Sequence, residues 1–263
     1  MATITDRGFG PMLNKVPAIT LVFWVIKVMA TTVGETAADY LGVHVGLGTA
    51  LTGGIMMAVL IAALTVQMRT RQYVPWIYWL TVVLVSVVGT QITDALTDRL
   101  GVSLYTSTTA FTVVLAVVFA VWYWSERTLS IHTITTTRRE AFYWAAILFT
   151  FALGTAAGDL ATEALSLGFT IGVLVFGGLI AATYAAYCLG ANAVLAFWIA
   201  YILTRPLGAS LGDLLSQSRT YGGLGLGTVT TSLIFFAVIA ALVTAVSIGP
   251  KRLAPQPRDA GEA

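Results

Sequence analysis

The chain alternates long apolar runs with short polar connections. Eight runs reach the length of about 20 residues that a helix needs to cross a bilayer core. They cover roughly residues 16–41, 48–68, 74–96, 104–124, 141–164, 167–188, 193–215 and 224–247. The longest connection, residues 125–140, separates two halves of four runs each. The pattern predicts an all-α integral membrane protein with eight transmembrane helices in a single domain.

The composition supports this class of protein and excludes several others. Hydrophobic residues make up 57% of the chain and charged residues only 10%, a balance outside that of soluble domains. The single cysteine, Cys188, excludes an intrachain disulfide and a cysteine-based zinc site. No phosphate-binding glycine loop, HExxH or nucleophile elbow is present, so we expect neither an enzyme nor an ATP-driven pump.

Basic residues lie mainly in the connections on one side of the predicted membrane. If the N-terminus is cytoplasmic, ten basic residues, Lys15 among them, face the cytoplasm, and only Arg99 and Arg219 face the other side. This asymmetry predicts that the tails, residues 1–15 and 248–263, are both cytoplasmic.

The odd-numbered runs share one motif. Each contains an aromatic residue, a Trp, a Gly ten residues after the Trp and an Asp fifteen residues after it. The copies are FWVIKVMATTVGETAAD (23–39), YWLTVVLVSVVGTQITD (78–94), YWAAILFTFALGTAAGD (143–159) and FWIAYILTRPLGASLGD (197–213). The copies predict four two-helix repeats, 16–68, 74–124, 141–188 and 193–247, that share one orientation. They are then related by pseudo-fourfold symmetry about the membrane normal.

The odd helices carry the shared positions, so we expect them to face the axis. Fifteen residues of straight helix span about 22 Å, which places all four aspartates at one depth, short of the outer surface. Small residues precede each Asp, so the alternative is a packing seam in which the Asp is a solvated helix end. Against it stands the cost of a carboxylate in hydrocarbon, about 2.5 to 3.5 kcal/mol at mid-span.

Oxygen-only donors at one level favour a hard cation such as Mn²⁺, Mg²⁺ or Ca²⁺, because zinc and copper prefer His or Cys. The predicted metal-binding residues are Asp39, Asp94, Asp159 and Asp213, with Glu35 assisting. The predicted accessory residues are Thr36, Gln91, Thr155, Ser210, Glu163, Asp98, Lys27 and Arg205.

The four copies differ at a few positions. Glu35 is private to the first copy, and Lys27 and Arg205 are intramembrane cations of the first and last copies. An asymmetric site with internal counter-charges favours a transporter over an open channel. Lys27 has the alternative of snorkelling toward the cytoplasm. Pro206 is expected to kink or break the seventh helix and free a carbonyl.

Two segments together resemble a known family. FW-x2-K-x4-TT-x-GET-x2-DYL in the first helix, with AAGDLATEAL in the fifth, resembles small bacterial multi-span proteins known as uncharacterised membrane-anchored proteins. The resemblance covers nearly the whole chain and implies a bacterial inner-membrane location.

The main functional hypothesis is a secondary transporter for a divalent cation, with Mn²⁺ as the first candidate. Proton coupling is available because crowded carboxylates exchange protons. The alternatives are a passive cation channel with an Asp ring and a non-transporting membrane sensor or assembly module. We expect the lipid bilayer and a metal ion as partners, no covalently bound cofactor and no nucleic acid, and a homo-oligomer stays open.

Overall fold

Eight long helices form the described part of the protein. The computed structural model describes residues 13–43 and 49–248, and within these ranges it contains no strand. The helices are α1 (Leu21–Val43), α2 (Thr49–Arg69), α3 (Pro75–Asp94), α4 (Leu104–Glu126), α5 (Thr137–Asp159), α6 (Gly168–Cys188), α7 (Ala193–Ser216) and α8 (Thr228–Ile248). All eight are long and apolar enough to cross a membrane. The prediction of an all-helical, multi-pass membrane protein is therefore confirmed.

Two helices begin later than the apolar pattern predicts. Helix α1 begins at Leu21, because Thr20 caps it: its hydroxyl accepts from the Phe23 amide at 3.3 Å. Helix α8 begins at Thr228, because Gly225 and Gly227 both have a φ of +79°, which ends regular helix before them. Of the predicted tails, residues 1–12 and 249–263 lie outside the described part of the chain.

The odd helices form an inner ring and the even helices surround it. In the membrane-spanning windows 50–72% of residues are buried on the odd helices, against 11–17% on the even ones. Each inner helix packs against the next in the order α1, α3, α5, α7 and back to α1. The expectation that the odd helices face the axis is confirmed.

The outer helices close the ring in the same direction. Helix α2 packs mainly against α3, α4 against α5, α6 against α7, and α8 against α1. Each repeat therefore places its second helix on the first helix of the following repeat. The two helices of one repeat therefore do not pack mainly on each other. The outer helix of the last repeat, α8, packs on the inner helix of the first, α1.

One glycine contact recurs at all four inner seams. The Gly ten residues after each Trp faces the residue seven positions after the Trp of the next repeat. The pairs are Gly34 with Ser86, Gly89 with Phe151, Gly154 with Arg205, and Gly208 with Thr31. A Cβ at these glycines would lie 1.8 to 2.7 Å from an atom of that neighbour, so no side chain fits. Repetition at every seam gives the inner ring its pseudo-fourfold symmetry.

Aromatic side chains close one end of the inner ring, which we call the aromatic end. The aromatic residue before each Trp packs on the Trp of the next repeat, with ring centroids 5.5 to 6.3 Å apart. The pairs are Phe23 with Trp79, Tyr78 with Trp144, Tyr143 with Trp198, and Phe197 with Trp24. Trp79, Trp144 and Trp198 are buried between helices. These three Trp residues therefore face neighbouring helices and not lipid.

Candidate functional site

A cavity of about 440 Å³ opens at the opposite end of the inner ring, the acidic end. We call it the vestibule. It is lined by six carboxylates: Glu35, Asp39, Asp94, Asp98, Asp159 and Asp213. The structure thus brings together the four motif aspartates, one from each inner helix, and Glu35. Sequence reasoning predicted this convergence around one centre.

The four inner helices differ in their backbone structure directly after the motif aspartates. Helices α1 and α7 continue as α-helix beyond Asp39 and Asp213, whereas α3 and α5 change to a π-helical turn directly after Asp94 and Asp159. These turns span Ala95–Arg99 and Leu160–Ala164. π-Helical turns are rare and are often found at functional sites. The turn after Asp94 also places Asp98 on the vestibule wall.

An ion pair lies among the inner helices at Glu35. The Arg205 guanidinium is fully buried, and its Nη2 donates to the Glu35 carboxylate and to the Thr90 hydroxyl. The same nitrogen donates to the Thr155 hydroxyl at 2.8 Å. Glu35, Thr90 and Thr155 occupy the same motif position in the first three repeats, and Ala209 holds it in the fourth. One arginine of the last repeat therefore contacts the equivalent residue of each of the others.

Burial makes this ion pair costly to break. Two charges removed from water lose several kcal/mol each of solvation, which only close pairing and further hydrogen bonds offset. The hydroxyls of Thr90 and Thr155 supply those further acceptors, as does the Thr31 carbonyl, 3.4 Å from Nη1. The prediction that Arg205 is an internal counter-charge agrees with this geometry.

Lys27 lies deeper, toward the aromatic end. Its Nζ is 4.1 Å from the ring centroid of Phe151 and 4.3 Å from that of Tyr201, and the residue is 0% exposed. The guanidinium carbon of Arg205 is 5.9 Å from the same Phe151 ring. Snorkelling toward the membrane surface is therefore wrong for Lys27. Its amine is turned into the bundle, where two aromatic rings attract a cation.

The helix break expected at Pro206 is absent. Helix α7 runs unbroken from Ala193 to Ser216 with Pro206 inside it. The close seams hold it there, since Gly158 of α5 packs on Pro206. Nearby carbonyls are used in these seams: those of Thr204 and Gly208 accept from Thr31 and Thr32.

The remaining accessory residues divide into two groups. Thr36 and Ser210 do not line the vestibule: the Thr36 hydroxyl lies 2.6 Å from that of Ser232 on α8, and Ser210 faces Gly172 on α6. Gln91 is half-buried on α3 and is also absent from the vestibule wall. Asp98 lines the vestibule. The side chain of Glu163 lies outside what the structure describes.

The vestibule residues are brought together without forming a compact metal cage. Among the described residues, no three acidic, histidine or cysteine side chains converge closely enough to hold a metal ion. In this conformation Glu35 accepts from Arg205. Metal binding by these residues therefore stays a prediction.

Sequence reasoning missed two neighbours that complete the buried cluster, Phe151 and Tyr201, which both contact Lys27. The repeat alignment gives Thr90 as an oxygen donor at the position of Glu35, and its hydroxyl contacts Arg205. Phe151 and Tyr201 gave no signal, because an aromatic residue in an apolar helix is ordinary core.

Comparisons with known proteins agree with the repeat architecture. A family model described as Repeat of Unknown Function (DUF347) matches the chain four times, at residues 22–73, 77–128, 142–190 and 196–248. Each match covers one inner helix and the outer helix that follows it. The searches of curated proteins and of solved structures found no match. The chain belongs to the family of proteins built from the Repeat of Unknown Function (DUF347).

Proposed function

We propose that the protein is a secondary membrane transporter for a hard divalent cation that binds through the vestibule, with Mn²⁺ as the first candidate. One observation carries the proposal. An aspartate from each of the four repeats lines one cavity together with Glu35, and Glu35 is held by the buried Arg205. The site thus combines a cation-attracting entrance with an internal cation that competes for the same carboxylate.

The chemistry of the vestibule supports a hard cation. Its six carboxylates create a negative potential, and a cavity lined by one sign of charge concentrates counter-ions. Carboxylate oxygens are the ligands that Mn²⁺, Mg²⁺ and Ca²⁺ prefer. A bound cation would replace Arg205 at Glu35 and draw neighbouring aspartates inward, and this rearrangement supplies the change of state that a transporter needs.

Side-chain packing favours a transporter over an open channel. Arg205, Phe151 and Lys27 are fully buried among the inner helices between the vestibule and the aromatic end. A permanently open channel needs a continuous hydrated path, whereas a transporter exposes its site to one side at a time. The passive channel and the non-transporting module are kept as outcomes of the experiment below.

We also propose the location and orientation. The family resemblance supports a bacterial inner membrane. The excess of basic residues at the aromatic end supports cytoplasmic termini and an outward-facing vestibule. Lys15 is a weaker contributor to this bias than the sequence suggests, since it is buried in an ion pair with Glu140.

The test is Mn²⁺ binding to the purified protein, together with Mn²⁺ uptake into liposomes that contain it. The key variant replaces Asp39, Asp94, Asp159 and Asp213 by Asn, and Glu126→Gln is the control because Glu126 pairs with Arg138 and Arg139 outside the vestibule. We expect saturable binding and uptake in the wild type and the control, and their loss in the fourfold variant.

Other outcomes identify the alternatives. Unchanged binding and uptake in the fourfold variant would contradict the proposal. Non-saturating conductance that the fourfold variant loses would indicate a channel. Loss of folding in single Asp→Asn variants, followed by size-exclusion chromatography, would indicate that the motif is structural.

A further inference from the structure

The vestibule leaves the role of Lys27 unexplained. Among the described residues, its Nζ has no hydrogen-bond partner, although it is completely buried. An ammonium has three donors to satisfy, and a buried polar group without partners is costly. The aromatic faces of Phe151 and Tyr201 attract a cation, but they accept no ordinary hydrogen bond. Hydrogen bonding within the described structure therefore favours neither the charged ammonium form nor the neutral amine form of Lys27.

Packing does not require a lysine at this level. The matching residues of the other three repeats are Val82, Ile147 and Tyr201, and all three are fully buried. Three repeats thus fill the same position with uncharged side chains. A private buried amine in the first repeat points to a role that a hydrophobic residue cannot perform.

The surroundings of Lys27 couple its charge to the ion pair. The groups that titrate or carry charge near it are Arg205 and Tyr201 on α7, Tyr143 on α5, Tyr78 on α3 and, further along α1, Glu35. Helix α8 has no titratable residue along its length, and α2 has only Arg69, in its last turn. Arg205 is thus the nearby cation, and its own charge is balanced by Glu35.

This balance changes when a cation takes Glu35. Among the described residues, the guanidinium of Arg205 then keeps only neutral partners, the hydroxyls of Thr90 and Thr155 and the Thr31 carbonyl. Two uncompensated positive charges close to one aromatic ring repel each other strongly in a medium of low dielectric constant. Arginine does not lose its proton in proteins, so the lysine is the group that can respond.

Resting on the proposed function, we propose that Lys27 carries the proton that is exchanged for the transported cation. When a cation displaces Arg205 from Glu35, one N–H bond of the Lys27 ammonium breaks, the nitrogen keeps the electron pair and the proton passes to water on the side from which the cation entered. When the cation departs on the other side, Arg205 pairs with Glu35 again and Lys27 takes a proton from water on that side. The transported cation and the proton move in opposite directions.

The proposed proton route between Lys27 and the aromatic end uses buried tyrosine hydroxyls. Tyr201 flanks the amine and is fully buried, and its hydroxyl has no hydrogen-bond partner among the described residues. Tyr143 and Tyr78 lie further along, at the aromatic end, with their hydroxyl oxygens 2.5 Å apart. A phenol both donates and accepts, so such groups can pass a proton along a chain.

The protonation of Lys27 can be measured directly, because the chain has only three lysines, at positions 15, 27 and 251. Protein labelled with ¹⁵N at the lysine side chains is reconstituted in bilayers, and Lys27→Met assigns the Lys27 signal. We expect the midpoint of the Lys27 titration in Glu35→Gln to lie at a proton concentration about tenfold higher than in the wild type. Glu126→Gln, outside the vestibule lining, is the control and should change this by less than about twofold.

Equal Lys27 titration in the wild type and Glu35→Gln would overturn the proposal. If Glu35→Gln does not fold, addition of Mg²⁺ to the wild type replaces it, since Mg²⁺ is a diamagnetic hard cation. Proton loss from Lys27 on Mg²⁺ addition supports the proposal, and its absence overturns it. This measurement needs no transport, so it judges Lys27 independently of the proposed function.

Coupling is tested in liposomes that enclose a pH-sensitive dye and receive Mn²⁺ from outside. Wild-type protein should raise the internal pH as Mn²⁺ enters, and Lys27→Met should abolish this change. The matched control is Ile147→Met, at the same motif position in the third repeat. Proton movement at the wild-type ratio in Lys27→Met would overturn the role of Lys27. Absence of Mn²⁺ uptake in the wild type would instead contradict the proposed function for Mn²⁺.

Discussion

Arg205 and Glu35 form a buried ion pair that joins the last inner helix to the first. Each of the two residues is charged at a motif position where the other three repeats have a neutral residue. The structure shows that these two exceptions pair with each other. The partners of Arg205 at the equivalent position in the second and third repeats are the neutral Thr90 and Thr155. Among the four residues at that motif position, Glu35 is the one carboxylate, and it carries the negative charge that balances the arginine.

Glu35→Gln should lower the free energy of unfolding by about 3 to 5 kcal/mol, because it leaves Arg205 buried without a counter-charge. The double variant Glu35→Gln with Arg205→Met should recover most of this loss, since neither charge remains. Mn²⁺ uptake, present in the wild type, should be lost in both variants. Unfolding in mixed detergent micelles and liposome uptake measure the two quantities. Stability that stays low in the double variant would contradict this account.

Thr155→Val should destabilise the protein by about 1 to 3 kcal/mol, because it removes a hydroxyl that accepts from the Arg205 guanidinium. Thr150→Val is a matched control on the same helix. Thr150 is equally buried, but its hydroxyl has no hydrogen-bond partner among the described residues, so its loss should be neutral or stabilising. Equal effects in the two valine variants would show that the Thr155 contact is energetically unimportant.

Gly208→Ala should destabilise the inner ring by about 1 to 3 kcal/mol, the usual cost of overpacking a filled core. Its added Cβ would lie 1.8 Å from the Thr31 hydroxyl, so α7 and α1 must separate. Gly178→Ala on the outer helix α6 is the control, since nothing lies within 4 Å of its added Cβ. Thermal unfolding of both variants in one detergent gives the comparison, and a Gly208→Ala protein as stable as the control would argue against close seams.

Lys15→Met should reduce stability by about 3 to 5 kcal/mol, because Glu140 would be left buried and unpaired. Lys15 Nζ lies 2.5 Å from Glu140, and both side chains are 1% exposed. The control Arg138→Met breaks an ion pair with Glu126 in which the arginine side chain is 67% exposed, so it should cost much less stability than Lys15→Met. Mn²⁺ affinity should be unchanged in both variants, since this pair lies at the aromatic end.

The common position of the four motif aspartates was predictable because the four copies of the motif align without gaps. Trp, Gly and Asp keep their spacing in every copy, and helical geometry converts equal spacing into equal depth. The convergence of Asp39 and Asp213 on one vestibule follows from that register. Their neighbours across the seams do not, because the sequence contains no measure of how adjacent helices are staggered.

That stagger explains the main errors. The glycine at the tenth position after each Trp meets the seventh position of the next repeat, so residues that contact each other are not those that align. Arg205 therefore reaches the level of Glu35 from a different motif position. Lys27 was misplaced for a related reason: Phe151 and Tyr201, which surround its amine, lie on other helices far along the chain.

The closed order of the inner helices has a consequence for how the protein is made. Glu35 precedes Arg205 by 170 residues. Glu35 and Lys27 therefore enter the membrane while five further helices remain to be synthesised before α7. Neutralisation of the Glu35 carboxylate by Arg205 and joining of α7 to α1 are then the same event, late in biogenesis. A chain that stops before α7 would hold the Glu35 carboxylate without this counter-charge.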